Sequence, residues 1–193
     1  MNKVEKFDKE IDYIKNKIFK ADACYLIDGL PDYFFEVPAS STGKYHPEFA
    51  LGDGGLLRHT KAAVRIAYEL LQDPLIGNKY TEDEKELMLI ALMLHDGLKS
   101  GKEKSKYTKV EHPLIAVNYI KENEKNLGMS VENMNFICDV ISTHMGVWNK
   151  DFDGNEVLPI PKTKYQNFVH MCDYLASRKV LLFKFDSNNN IID

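Results

Sequence analysis

Six histidines and two aspartates carry the chemical signal of this 193-residue chain. His95 and Asp96 are adjacent, at the end of the apolar run LMLIALMLHD. His59 follows GGLLR, His112 stands in EHPLIA and His144 in STHMG. Asp173 sits in HMCDYLAS, where a carboxylate among apolar neighbours is costly unless paired or metal-bound. A lone helical histidine is usually a packing or surface residue, and a lone aspartate is usually solvated. The combination changes the reading, because imidazole and carboxylate groups on separate apolar segments together suit Zn²⁺, Mn²⁺, Fe or Ni²⁺. Mixed His/Asp ligation also leaves positions open for water and substrate, whereas a closed structural zinc site would draw on cysteine.

Helices must position these groups. Val4, Phe7, Ile11, Ile14 and Ile18 are spaced as one face of an amphipathic helix over residues 3–19. A second short helix is expected over 21–30, ending at Gly29 and Pro31. Residues 38–55, rich in Gly, Ser and Pro, read as a long loop, and long loops in compact domains are often functional. Helical patterning resumes over 56–71. Thr81 and Glu84 form a capping box that starts the helix ending at His95-Asp96, with Gly97 as its stop. A lysine-rich loop spans 98–110, and a further helix opens at His112-Pro113. Helices are also expected over 131–145 and 164–179, with short β-hairpins around Asp153-Gly154 and Ser187–Asn190. The sum is an all-α bundle of six or seven helices, one domain over 1–193 with its core at about 50–180 and the N-terminal helix packed on it.

The composition excludes several classes. The hydrophobic fraction of 44% is enough for a core. A net charge of −4 argues against electrostatic capture of long nucleic acid but leaves a small anionic substrate open. No apolar run reaches the roughly 18–20 residues of a membrane span, and the N-terminus has no apolar signal core. Cys24, Cys138 and Cys172 stand far apart in apolar stretches, as expected of reduced cysteines in a cytoplasmic protein.

The ordered set GGLLRHT, LMLHDGLKSG and CDYLASRK resembles the signature of the HD-domain metal-dependent phosphohydrolases, over roughly residues 50–180. The resemblance implies that His59, His95, Asp96 and Asp173 bind one divalent ion (Mn, Fe, Ni, Co or Zn). His112 and His144 resemble the extra histidines of branches that hold a second ion, with Asp96 bridging the two; the alternative is one ion, with His112 and His144 contacting substrate phosphate. Relatives with two ions often have paired histidines where this chain has His144-Met145. The expected chemistry is hydrolysis by a water whose pKa a bound ion lowers from about 15.7 toward 7.

Within that resemblance Asp96 is expected to orient or deprotonate the water, and Lys99, on the family's HD-x-x-K lysine, to act on the phosphate. Phosphoryl transfer needs cations on the non-bridging oxygens. Arg58 and Arg178 are further candidates to bind phosphate, each with a surface salt bridge as the alternative. Lys102, Lys104 and Lys106 read as a solvated loop or a lid. His46 is a candidate contact or proton donor at the pocket mouth, and His170 a packing residue near Asp173. The expected substrate is a small nucleotide or short oligonucleotide; GGLLRHT and STHMG resemble the 3′–5′ exoribonuclease group. Two other readings stay open: a di-iron HD-type oxygenase and a non-catalytic nucleotide-sensing domain. Dimers are common among such domains, so a homodimer is also an expectation.

Overall fold

The computed structural model describes residues 2–40, 43, 46–105 and 107–192. Lys106 of the lysine-rich loop therefore lies outside the described residues. The elements are α1 (Asp8–Ile11), α2 (Lys17–Asp28), α3 (Gly55–Gln72), α4 (Pro74–Gly77), α5 (Glu82–Leu94), α6 (His112–Glu122), α7 (Val131–Ser142) and α8 (Lys164–Ala176). Two of them, α1 and α4, are single turns, so six longer helices make the bundle. The all-α expectation holds. Among the described residues, β structure is limited to two isolated bridges, Lys150 with Glu156 and Phe185 with Ile191. They close the two turns where hairpins were expected. Among the described residues no helix is long and apolar enough to cross a membrane.

Helix α5 lies at the centre. Its capping box is present, with Thr81 Oγ1 accepting from the Glu84 N–H at 3.2 Å and Glu84 Oε2 accepting from the Thr81 N–H at 2.8 Å. Every residue from Leu87 to Leu94 is buried, the pattern of a helix apolar all round and enclosed by others. It packs on α2, α3, α7 and α8, while α3 also packs on α8 and α6 on α7. The same apolar cluster runs from Phe7 to Ala176.

The expected single helix over 3–19 is not formed. A 3-10 turn at Val4–Phe7 and α1 are followed by a break, and α2 begins at Lys17 rather than at Ala21. Two side chains, an amide and a carboxylate, cause the break. Asn16 Oδ1 accepts from the N–H groups of Ile18 and Phe19 and caps α2. The buried Glu86 carboxylate accepts from the N–H groups of Lys15 and Asn16, at 2.8 and 3.0 Å, holding them out of a helix. Phe7, Ile11 and Ile14 are buried as their spacing requires, but Ile18 belongs to the next helix and is half exposed.

Both ends of the described chain are tied to α3. The buried Lys61 ammonium donates to the Lys6 carbonyl at 2.6 Å and to Asn190 Oδ1 at 3.0 Å, and pairs with Glu10 Oε2 at 3.3 Å. Arg58, one turn earlier, donates to the carbonyls of Phe49 and Leu51 and to Asn189 Oδ1. Arg58 therefore clamps the 38–55 loop and the C-terminal turn.

Candidate metal centre

Five elements converge on one buried cluster. His59 projects from α3 and Asp173 from α8. His95 caps the C-terminus of α5, and Asp96 follows it. Gly97 does not stop the helix by a left-handed turn. Its missing side chain makes room for Leu30, whose Cδ2 would lie 2.6 Å from a Cβ there. His112 opens α6, and His144 lies two residues past the end of α7. The four histidines and Asp96 are all buried.

The local fold fixes which ring nitrogen points inward. Nδ1 of His95, His112 and His144 lies 2.6, 2.7 and 2.8 Å from the carbonyl oxygens of Leu92, Lys109 and Ile141, in each case three residues earlier. A carbonyl can only accept, so each Nδ1 carries the hydrogen and each Nε2 is left as the inward-facing atom. Backbone orientation of an imidazole in this way is common behind metal-ligating histidines.

The inward atoms are crowded acceptors. Nε2 of His59 is 2.9 Å from Asp173 Oδ1, and His95 Nε2 is 3.4 Å from the same oxygen. Asp96 Oδ2 faces His95 and His59 at 3.6 and 3.8 Å, whereas Oδ1 faces His112 and His144 at 3.0 and 3.7 Å. Nε2 of His112 and Nε2 of His144 are 3.2 Å apart. His95 Nε2 and Asp96 Oδ1 are buried with no hydrogen-bond partner among the described residues. For the three rings whose Nδ1 is held by a carbonyl, lone pairs facing lone pairs at these distances call for positive charge between them. Two three-residue groups have ligand atoms close enough to share an ion: His59, His95 and Asp173, and His95, Asp96 and His144. The donor set fits a divalent metal of the imidazole- and carboxylate-binding kind.

The electrostatics agree. Burial opposes ionisation of Asp96, but Lys99, His95, His112 and His144 outweigh it and hold the carboxyl well below the usual range. Burial also opposes ionisation of Asp173, and the neighbouring His59 and His95 hold it well below that range too. Burial alone would lower His95, yet Asp96 and Asp173 raise it above an ordinary imidazole. A proton on His95 is the cation the cluster takes when it has no other. His144 is pushed by burial down to about 4 and is neutral at physiological pH.

The cluster opens into a cavity of about 510 Å³. Lys99 lines it, with Nζ 2.5 Å from Asp96 Oδ2. Arg178 and His46 line it as well. The His46 ring meets that of His59 edge to face at 5.2 Å, and burial with the nearby His59 and Lys99 charges takes its pKa down to about 3. Arg58 does not line this cavity, because its guanidinium is spent on the loop carbonyls and Asn189. His170 donates from Nδ1 to the His144 carbonyl at 2.6 Å, so it braces the turn that carries His144. Sequence reasoning passed over Met145, Trp148, Tyr174 and Ser177, which complete the wall. The available signal was adjacency: Tyr174 follows Asp173, and Trp148 comes four residues after His144.

Comparison with curated proteins and with solved structures gave no match. The family model described as HD domain matches residues 56–178, a span that holds His59, the His95-Asp96 pair and Asp173 in order. The chain belongs to the HD-domain superfamily of metal-dependent phosphohydrolases.

Proposed function

We propose that this protein hydrolyses a phosphate ester of a nucleotide or short oligonucleotide, using a water activated at the His/Asp cluster. The observation that supports this best is the division of the Asp96 carboxylate. One oxygen faces His59 and His95, and the other faces His112 and His144. In this reading His59, His95, Asp96 and Asp173 would hold one divalent ion, and Asp96, His112 and His144 a second. A bound divalent ion supplies Lewis acidity and a water that ionises near neutral pH.

The remaining roles fall to the chain's own groups. Asp96, whose carboxyl stays ionised, orients the attacking water. Lys99 keeps Asp96 ionised and presents a positive charge to the phosphoryl oxygens. Arg178, which also lines the cavity, binds a further phosphate oxygen. His46 is neutral at pH 7, so it serves as a hydrogen-bonding contact rather than as a charged proton donor. Lys99 and Arg178, the cations at the cavity among the described residues, favour a phosphate substrate over the chemistry of a di-iron oxygenase.

The test is a panel of nucleoside mono-, di- and triphosphates, cyclic nucleotides and short oligonucleotides, with Mn²⁺, Ni²⁺ or Co²⁺. Release of phosphate or nucleoside from a member of the panel is expected. Asp96→Ala should lower the rate by more than roughly a thousandfold, beyond the loss typical of a single stabilising group. Activity that survives Asp96→Ala, or O₂ consumption by an iron-loaded protein with no hydrolysis, contradicts the proposal.

A further inference from the structure

One wall of the cavity is aromatic and is not explained by the His/Asp cluster. Trp148 is 52% exposed and Tyr174 is 37% exposed, yet both line the same cavity as Asp96 and Lys99. Their rings are 15° from parallel with centroids 5.8 Å apart. The Arg178 guanidinium lies 4.3 Å from the Tyr174 ring centroid and hydrogen-bonds Ser177 Oγ through Nε and Nη2, which fixes the tyrosine ring.

This wall is held in register with the cluster by shared elements. Helix α8 carries Asp173 and Tyr174 as neighbours. The turn after α7 carries His144 and, four residues later, Trp148. That turn is locked onto α8 at Gly146, which has φ +59° and lies so close to His170 that a Cβ would sit 2.3 Å from its Cε1. The His170 bond to the His144 carbonyl closes the same contact.

We propose that Trp148 and Tyr174 form a stacking platform for the base of the substrate, so that specificity for a base-bearing phosphate resides on this wall. The proposal rests on the phosphohydrolase reading for the phosphate end of the ligand. The cavity lies within the range of small-molecule sites, about 300–1,000 Å³. Half-open, nearly parallel rings beside cationic groups suit a planar base joined to a phosphate. Removing one base–aromatic stack costs roughly five- to a hundredfold in affinity.

Trp148 is the single tryptophan of the chain, so its fluorescence reports on the platform directly. Zinc-loaded protein is titrated with AMP, GMP, CMP and UMP, and with ribose 5-phosphate as the base-free probe. At least one nucleotide should quench the emission and bind roughly tenfold or more tightly than ribose 5-phosphate. By calorimetry, Trp148→Ala and Tyr174→Leu should erase most of that preference, and Trp148→Phe should keep part of it. Equal response to ribose 5-phosphate, or full preference retained by both Trp148→Ala and Tyr174→Leu, overturns the proposal. Selective quenching without phosphate release from any substrate supports the platform and counts against the phosphohydrolase reading. Phosphate release with no preference for a base does the reverse.

Discussion

Two buried polar clusters lie two residues apart on α3, and they are built on opposite plans. Around Lys61 a donor meets acceptors: one ammonium satisfies the Lys6 carbonyl, the Asn190 amide oxygen and the Glu10 carboxylate. Around His59 acceptors meet acceptors: imidazole Nε2 atoms and carboxylate oxygens crowd within 4 Å, with His95 Nε2 and Asp96 Oδ1 left without partners. The first cluster balances its charge as the chain folds: Glu10 Oε2 has no hydrogen bond, but it pairs with the Lys61 ammonium. The second is complete only when positive charge is added. Buried charge is therefore not in itself a sign of a functional site; the sign is buried acceptors that face one another with no cation between them.

The comparison predicts opposite responses to substitution. The largest expected effect on stability is at Lys61. Lys61→Met leaves Glu10 buried without its partner and should cost about 3–5 kcal/mol in denaturant unfolding. Adding Glu10→Leu should recover most of that loss, since an apolar pair replaces a buried ionic one. Neither change should alter metal content. Loss of bound metal in either variant while the protein remains folded would break the distinction between the clusters.

A smaller effect is expected at Gly146. Gly146→Ala forces a side chain into a left-handed backbone and against His170. It should destabilise by about 1–3 kcal/mol and weaken occupancy of the His112/His144 side more than that of the His59/Asp173 side. Equal loss on both sides would show that the turn does not set the position of His144.

The smallest effect is a pH dependence. His95 is held above the ordinary imidazole value, so the metal-free cluster keeps a proton there that a metal must displace. Metal affinity should therefore fall as pH falls and rise as pH rises through the neutral range. Calorimetric titration in two buffers of different ionisation enthalpy should register proton release on binding. Binding with no proton release would contradict the stated role of His95.

Much of the cluster was legible in the sequence because its residues sit at helix ends and on apolar helix faces. The run LMLIALMLHD could only be a buried helix delivering His95-Asp96 to the interior, and Thr81 with Glu84 marked where it began. What was not legible depended on contacts distant in sequence. Glu86 breaks the N-terminal helix from about 70 residues away, by capturing the N–H groups of Lys15 and Asn16. Arg58 stands beside His59 in the sequence but is drawn aside by Asn189, 131 residues later. The same limit hid the Trp148–Tyr174 wall, which exists only because the turn after α7 docks on α8.

The most direct test of the central claim is metal content, measured by mass spectrometry on protein purified without chelator and then equilibrated with Mn²⁺ or Zn²⁺. The crowded acceptors predict two ions per chain, one in His144→Ala, and a thermal midpoint that drops when a chelator is added. Wild-type protein that retains no more metal than Asp96→Ala, with the same midpoint with and without chelator, would contradict it.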